Sequence, residues 1–352
     1  MLYRYIILRA IQQFQNERSV SAVYYVLQGK QSIQSIQDAT LFGLENYFGI
    51  LKKLTKHRFM DEIHILLTEN YIKQMNEEYQ YELTDKGIDY LRQNNLVKQQ
   101  LHLDGMTYRQ MDEVFFERLL LLIQVWTNSV KKNRYYLPII DNVRVEHWVK
   151  LFYQQTQNQV SEYIYALYNE LYTICEEQDE LYVKVFLLQL SSYNKIGLTM
   201  TQVAEMYDQT VEDIYIITVS FIHKMLQMIQ SSKEQYPVLS YVTQKLTHHD
   251  DTLTKSAYKT NELRLQGLSI EAIAQFRRLK INTIYDHLVE IAMNQSDFPL
   301  SLYVTYDQQR TIIKAIKQTN SYTLKSIKSK VDESITYFQI RLVLALWSSL
   351  SD

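Results

Sequence analysis

The sequence predicts a mainly α-helical, multi-domain protein with an N-terminal winged-helix-like unit and a C-terminal helix-turn-helix domain. Glycine and proline interrupt helices, and the 352 residues include only 7 glycines and 3 prolines. Apolar residues make up 46% of the chain, and its length is typical of two or three domains. Apolar side chains also recur at the helical period, as at Phe115, Leu119 and Leu122.

Residues 1–95 are predicted to form the winged-helix-like unit. The stretch "SVSAVYYVLQG" predicts a helix that ends at Gly29, since glycine readily adopts the left-handed cap conformation. "SIQSIQDATLFGLENYFGIL" (32–51) predicts a second helical stretch. "YIKQM" and "YQYEL" alternate in polarity and predict a hairpin, after which Thr84 opens a closing helix. The alternative is a small α+β packing unit that binds no ligand.

Residues 96–246 are predicted to be an acidic, helical middle region. Between 160 and 235 we count 11 acidic against 4 basic residues. Two helices, "SEYIYALYNELYTI" and "LYVKVFLLQLSSY", are joined by the turn "EEQDE" (176–180), which is either a solvated turn or part of a protein-docking face. The C-terminal unit, 247–352, is basic instead, with 13 bases against 8 acids between 252 and 350. Opposite charges predict different partners for the two regions.

A repeated frame lies in these two regions. The first copy, "GLTMTQVAEMYDQTVEDIYIITVSF" (197–221), belongs to the middle region, and the second copy, "GLSIEAIAQFRRLKINTIYDHLVEI" (267–291), begins 70 residues later. Thr199 and Ser269 are good N-caps for a first helix, and a turn and a second helix follow each. The spacing predicts a helix-turn-helix in each copy.

Charge separates the two copies. Glu212 and Asp213 of the first copy suit the dipole of its second helix but would repel a phosphate backbone, so we interpret this copy as a structural or protein-facing module. Cations and short polar side chains at the start of a helix suit phosphates and base edges, so the second copy is the nucleic-acid candidate. Its candidate DNA-binding residues are Arg277, Arg278, Lys280, Asn282, Thr283 and Tyr285. The alternative is a solvated basic turn on a packing helix pair.

A second basic cluster follows between Arg310 and Arg341. Lys325 and Lys328 lie three positions apart and so share a helix face that could clamp successive phosphates. The DNA-binding candidates from this cluster are Lys325, Lys328, Lys330 and Arg341. A lysine-rich face that only improves solubility is the alternative.

Other kinds of site are not predicted. The single cysteine, Cys175, excludes a disulfide framework, and the longest Leu/Ile run, "LLLLI", is too short for a membrane span. His248, His249, Asp250 and Asp251 are consecutive, and such side chains rarely converge on one metal ion. No phosphate loop or nucleophile–base pair occurs. We therefore expect a non-enzymatic cytoplasmic protein without metal, cofactor, small-molecule substrate or membrane partner.

The C-terminal stretches "LRLQGLSIEAIAQFRRLKINTIYDHLVE" and "YTLKSIKSKVDESITYFQIRLVLAL" resemble the helicase helix-turn-helix domain found at the C-termini of many RecQ-type DNA helicases. With no motor sequence present, the chain resembles the YpbB-like family of stand-alone proteins that carry this domain and partner a RecQ-type helicase. "YYVLQGKQSIQSIQDATLFGLENYFG" extends a weaker resemblance into the N-terminal unit.

The resemblance implies a nucleoid-associated accessory factor in DNA repair or recombination. Its partners would be DNA, gripped by the basic unit, and the helicase, docked by the remaining units. Phe276 stands where a polar residue is more usual and Lys280 occupies a cap-like position, which argues for backbone binding over base-specific reading. The alternative is a transcriptional regulator, because "INTIYDHL" also resembles response-regulator output domains.

Overall fold

The computed structural model describes residues 2–75, 79–95, 101–246, 253–295 and 297–350. Helices dominate these ranges, as predicted, and one two-stranded hairpin lies in the N-terminal part. None of the helices in these ranges is both long and apolar enough to cross a bilayer.

The N-terminal unit combines helices with the hairpin. Its elements are α1 (Leu2–Phe14), α2 (Val20–Gln28), α3 (Ile33–Leu41), a 3₁₀ turn (Glu45–Tyr47), α4 (Lys56–Thr68), β1 (Ile72–Gln74), β2 (Tyr81–Leu83) and α5 (Asp85–Gln93). The strands are antiparallel, with Ile72 opposite Leu83, and Thr84 caps α5 as predicted. The predicted turn at 76–78 lies outside the described residues.

Glycines explain where the second helical stretch departs from the prediction. Gly29 ends α2 in the left-handed conformation, φ 72°, as predicted. The stretch 32–51 is not one continuous helix, because α3 ends at Leu41 and both Gly43 and Gly49 have positive φ. A Cβ on Gly29 would lie 2.6 Å from the Cα of Gly49, so the two segments cross at a distance that only glycine permits.

Within the described residues, the middle region consists of helices and the loops that connect them. Its helices are α6 (Gly105–Tyr108), α7 (Asp112–Val130), α8 (Val143–Thr156), α9 (Val160–Glu176), α10 (Glu180–Leu188), α11 (Met200–Tyr207), α12 (Val211–Ser231) and α13 (Pro237–Thr243), with a 3₁₀ turn at Gln157–Gln159. The helix α12 contributes Phe221 to the core of this region and Ile216 to the core of the N-terminal unit, so it forms a wall shared by both.

The C-terminal part has its own core, centred on Ile284, Leu288 and Ile340. Its helices are α14 (Lys255–Leu265), α15 (Ile270–Arg277), α16 (Ile281–Asn294), α17 (Tyr306–Thr319), α18 (Leu324–Lys328), α19 (Tyr337–Ala345) and α20 (Trp347–Leu350), with a 3₁₀ turn at Leu300–Leu302. The N-terminal unit contacts this part directly, since the Tyr322 amide donates to the Glu17 carboxylate at 2.8 Å.

The predicted boundaries after residues 95 and 246 stay predictions, because 96–100 and 247–252 lie outside the described residues. His248, His249, Asp250 and Asp251 lie in the second of these gaps. Among the described residues, no three histidine, cysteine or acidic side chains are grouped so that they could hold a metal ion.

Candidate nucleic-acid interface

The two copies of the repeated frame have the same local backbone geometry. In the first copy Thr199 caps α11 and Asp208 ends it in the left-handed conformation, φ 50°. In the second copy Ser269 caps α15 and Arg278 ends it in the same conformation, φ 54°. Both N-caps were predicted from the sequence, and both are confirmed.

The second helix of the first copy, α12, is enclosed. Every residue from Ile216 to His223 is buried, so protein covers all faces of this segment. The beginning of the helix is docked on the N-terminal unit, because the Asp213 carboxylate accepts a 2.8 Å hydrogen bond from the Tyr3 amide and Glu212 pairs with Arg58 at 2.7 Å. The buried segment leaves no free face for a DNA groove, and the structural role predicted for the first copy agrees with this packing.

The second helix of the second copy, α16, is open at its beginning. Among residues 281–286 only Ile284 is buried, and Arg278, Lys280 and Asn282 are exposed. Lys280 occupies the N-cap position and makes no side-chain capping bond. The positive end of the helix dipole, two exposed cations and an exposed amide side chain therefore occur together at this turn, a composition suited to an anion.

Arg277 is directed into its own domain. Its guanidinium donates to the Ser256 carbonyl at 2.7 Å and to the hydroxyls of Ser256 and Thr260, which ties α15 to α14. Thr260 also contacts His287 Nδ1 at 2.8 Å, and burial together with the nearby Arg277 charge lowers the pKa of His287. The Arg277 side chain thus supports the fold of the helix pair.

Two further candidates connect α16 to α19. The Tyr285 ring stacks on Phe338 with centroids 4.0 Å apart. Arg341 pairs with Asp286 at 2.7 Å. Both side chains therefore hold the open helix in place, and Thr283 beside them is half-buried.

The second basic cluster also contains both exposed lysines and a lysine that bonds within its own domain. Lys325 and Lys330 are exposed, whereas the Lys328 ammonium donates to three backbone carbonyls in the turn before α19, those of Asp332, Glu333 and Ile335. Lys328 therefore stabilises that turn. From the sequence we predicted that Lys325 and Lys328 share a helix face that binds DNA. The bonds of Lys328 to the turn before α19 were not predicted.

The candidates chosen from the sequence omitted a basic stripe on α17. Arg310, Lys314 and Lys317 are exposed and follow one another at four and three positions, so they lie on one face of this helix. The signal was present in the sequence as i, i+4, i+7 spacing. The buried Ile312 and Ile316 occupy the opposite face.

Comparison with known families assigns both ends of the chain. Residues 6–105 match the RQC domain, and residues 256–344 match a helix-turn-helix domain family. These matches define a helical protein of the DNA-binding, RecQ-related and helicase-associated class.

One relative extends over nearly the whole sequence. Over 341 residues the chain is 30% identical to protein YpbB of Bacillus subtilis (strain 168), and the match covers 96% of this chain and 95% of that protein. The chain belongs to the YpbB family, and the resemblance noted in the sequence is confirmed. No solved structure matches it.

Proposed function

We propose that this protein is a non-enzymatic, DNA-binding accessory factor of a RecQ-type helicase in DNA repair or recombination, acting in the cytoplasm at the nucleoid. The C-terminal domain grips the DNA backbone, and the other two regions dock the helicase. The observation that carries the proposal is the contrast between the copies, because α12 is enclosed while α16 presents an open, basic beginning.

The candidate residues take two roles in this proposal. Arg278, Lys280, Lys325 and Lys330 are exposed cations that bind phosphates, and Asn282 and Thr283 approach the DNA from the first turn of α16. The remaining four position that surface through the contacts already described, and they are Arg277, Tyr285, Lys328 and Arg341. Phosphate-binding groups outnumber base-reading groups, which favours binding with little sequence preference.

Full-length protein titrated against fluorescent duplex, single-stranded and forked DNA at several salt concentrations tests the DNA-binding part. We expect log affinity to fall linearly with log salt. Arg278→Glu with Lys280→Glu should lower the affinity at least about tenfold and make the slope of log affinity against log salt shallower by roughly one for each phosphate that the variant no longer binds. The matched control is Lys131→Glu with Lys132→Glu, an equal charge change at two exposed lysines of the middle region.

Equal reductions of affinity in the two double variants would show that only net charge matters, and the proposed interface would be wrong. Selection from random duplexes separates the accessory factor from a transcriptional regulator. A regulator bound as a dimer would yield a sharp consensus with fixed half-site spacing. The accessory factor should yield no consensus and should co-purify with the helicase at moderate salt.

A further inference from the structure

An apolar groove lies in the acidic middle region, outside the basic C-terminal domain. It has a volume of about 400 Å³ and lies between α7, α9 and α10. Its lining is almost entirely apolar and includes Trp126, Leu167, Leu171, Tyr172, Cys175 and Leu187. None of the described residues that line it is charged, so they offer no charged anchor for a polar metabolite.

Large apolar side chains at the rim of this groove are exposed. Tyr168 is 60% exposed, Tyr172 53% and Leu187 42%, although an exposed contiguous apolar surface is unfavourable in water. Exposed tyrosines around an apolar depression are typical of binding hot spots, because the ring buries a large area and orders few torsions. The groove therefore has the composition of a protein-binding surface.

The chain is acidic where it leaves the groove at Cys175. Directly after Cys175 the chain carries Glu176, Glu177, Asp179 and Glu180, all exposed, from the last residue of α9 to the first residue of α10. Glu180 pairs with Lys184, and the other three acids have no such ion pair among the described residues. The Glu176 carboxylate raises the pKa of the Tyr172 hydroxyl at the rim, so the apolar groove adjoins the acidic turn. Such a surface selects a partner with complementary positive charge.

We propose that this groove is the docking site for an amphipathic helix of the partner helicase, one that inserts apolar side chains between α7, α9 and α10 and places lysines or arginines against the acidic turn. This inference rests on the proposed function, since it takes the helicase as the partner. A helix laid in an apolar groove is a common recognition mode, and here the acidic turn fixes the direction and charge of the guest.

A second copy of this chain fits the groove less well. Pairing this face with itself would bring two acidic turns together. The basic helix α17 is not free to serve as guest, because Ile312 and Ile316 on its apolar face are buried in the C-terminal core. Charge complementarity therefore points to another protein.

Cys175 gives a direct probe, because it is the only cysteine of the chain and lies in the groove. Burial raises the pKa of its thiol, so alkylation by a maleimide should be slow and measurable. We expect the RecQ-type helicase of the same organism to slow this alkylation at least about fivefold, in proportion to complex formed. Duplex DNA at saturating concentration should leave the rate unchanged.

The groove variants Tyr168→Lys and Leu187→Lys should each weaken helicase binding, measured by calorimetry, at least about tenfold. They should leave DNA affinity unchanged. Tyr135→Lys is the matched control, since Tyr135 is 96% exposed in the same region and does not line the groove. Glu176→Lys with Glu177→Lys should slow association and remove most of its salt dependence.

Each of the other outcomes contradicts the proposed docking site, and the three outcomes can be told apart. Equal helicase affinity for wild type and groove variants, with unprotected Cys175, overturns the groove while the proposed function stands. Absence of helicase binding by the wild type overturns both, although DNA binding would persist. Concentration-dependent protection of Cys175 without helicase, abolished in Leu187→Lys, would identify a second copy as the occupant and overturn the helicase assignment.

Discussion

The first and second copies of the repeated frame show how one backbone geometry is used for two purposes. Each has an N-capped short helix, a left-handed residue and a second helix, and corresponding positions lie 70 residues apart. In the first copy the second helix is enclosed and its acids bond to the N-terminal unit. In the second copy the same helix end is open and cationic. Local sequence specifies the frame, and the charges at its turn determine what the frame can contact.

The largest expected difference concerns corresponding positions at the start of the second helices. Asp213→Ala removes the acceptor of the Tyr3 amide and leaves a buried donor, so we expect a decrease of about 2–3 kcal/mol in unfolding free energy. The corresponding substitution in the second copy, Thr283→Ala, should change stability by less than about 0.5 kcal/mol and weaken DNA binding instead. Denaturant unfolding and DNA titration of both variants measure this. Similar decreases in stability would contradict the different roles.

The next comparison is between neighbours in the second copy. Arg277→Ala removes hydrogen bonds to Ser256 and Thr260, and we expect it to destabilise the C-terminal domain by about 1.5–2 kcal/mol. Arg278→Ala should have little effect on stability and a larger direct effect on DNA affinity, because Arg278 is exposed. Thermal unfolding and salt-dependent DNA titration separate the two effects. An Arg277→Ala protein of normal stability that no longer binds DNA would assign Arg277 to the DNA interface.

Arg277 and Arg278 illustrate which interactions could be predicted from the sequence alone. The caps at Thr84, Thr199 and Ser269 and the glycine end of α2 depend on residues a few positions apart, and they were predicted. Arg277 was predicted only to bind DNA, because its partners lie 17 and 21 positions away on α14. The bond between Tyr3 and Asp213 spans 210 positions.

The apolar groove could not be predicted either, because it depends on residues that are far apart in the sequence. Its lining comes from three helices, and each helix alone has the pattern of ordinary core. Only the acidic turn beside it carried a signal, which the sequence left open between a solvated turn and a docking face. Periodicity finds helices and their buried stripes, but it cannot show which stripe remains uncovered after the helices have packed.

The stability of the C-terminal domain, which contains the second copy, should depend on pH through His287. Burial and the Arg277 charge lower the folded-state pKa of His287, so the unfolded chain takes up a proton at a higher pH than the folded domain does. This contribution to stability is present above the unfolded pKa of about 6.5 and declines as the pH falls from there toward the lowered folded pKa. His287→Gln should reduce the difference in unfolding temperature between pH 7 and pH 5. If His287→Gln leaves the difference in unfolding temperature unchanged, groups other than His287 cause the pH dependence.

The smallest expected effect tests the shared frame itself. Asp208 and Arg278 both adopt the left-handed conformation, which costs a residue with a Cβ about 1 kcal/mol and glycine almost nothing. We therefore expect Asp208→Gly and Arg278→Gly each to stabilise the protein by about 0.5–1 kcal/mol, with the smaller gain at Asp208, since aspartate tolerates this conformation better than arginine. Only Arg278→Gly should weaken DNA binding, because it alone removes an exposed cation from the open helix end. Paired unfolding and DNA titrations measure both quantities, and a reduced DNA affinity in Asp208→Gly would mean that the first copy also binds DNA.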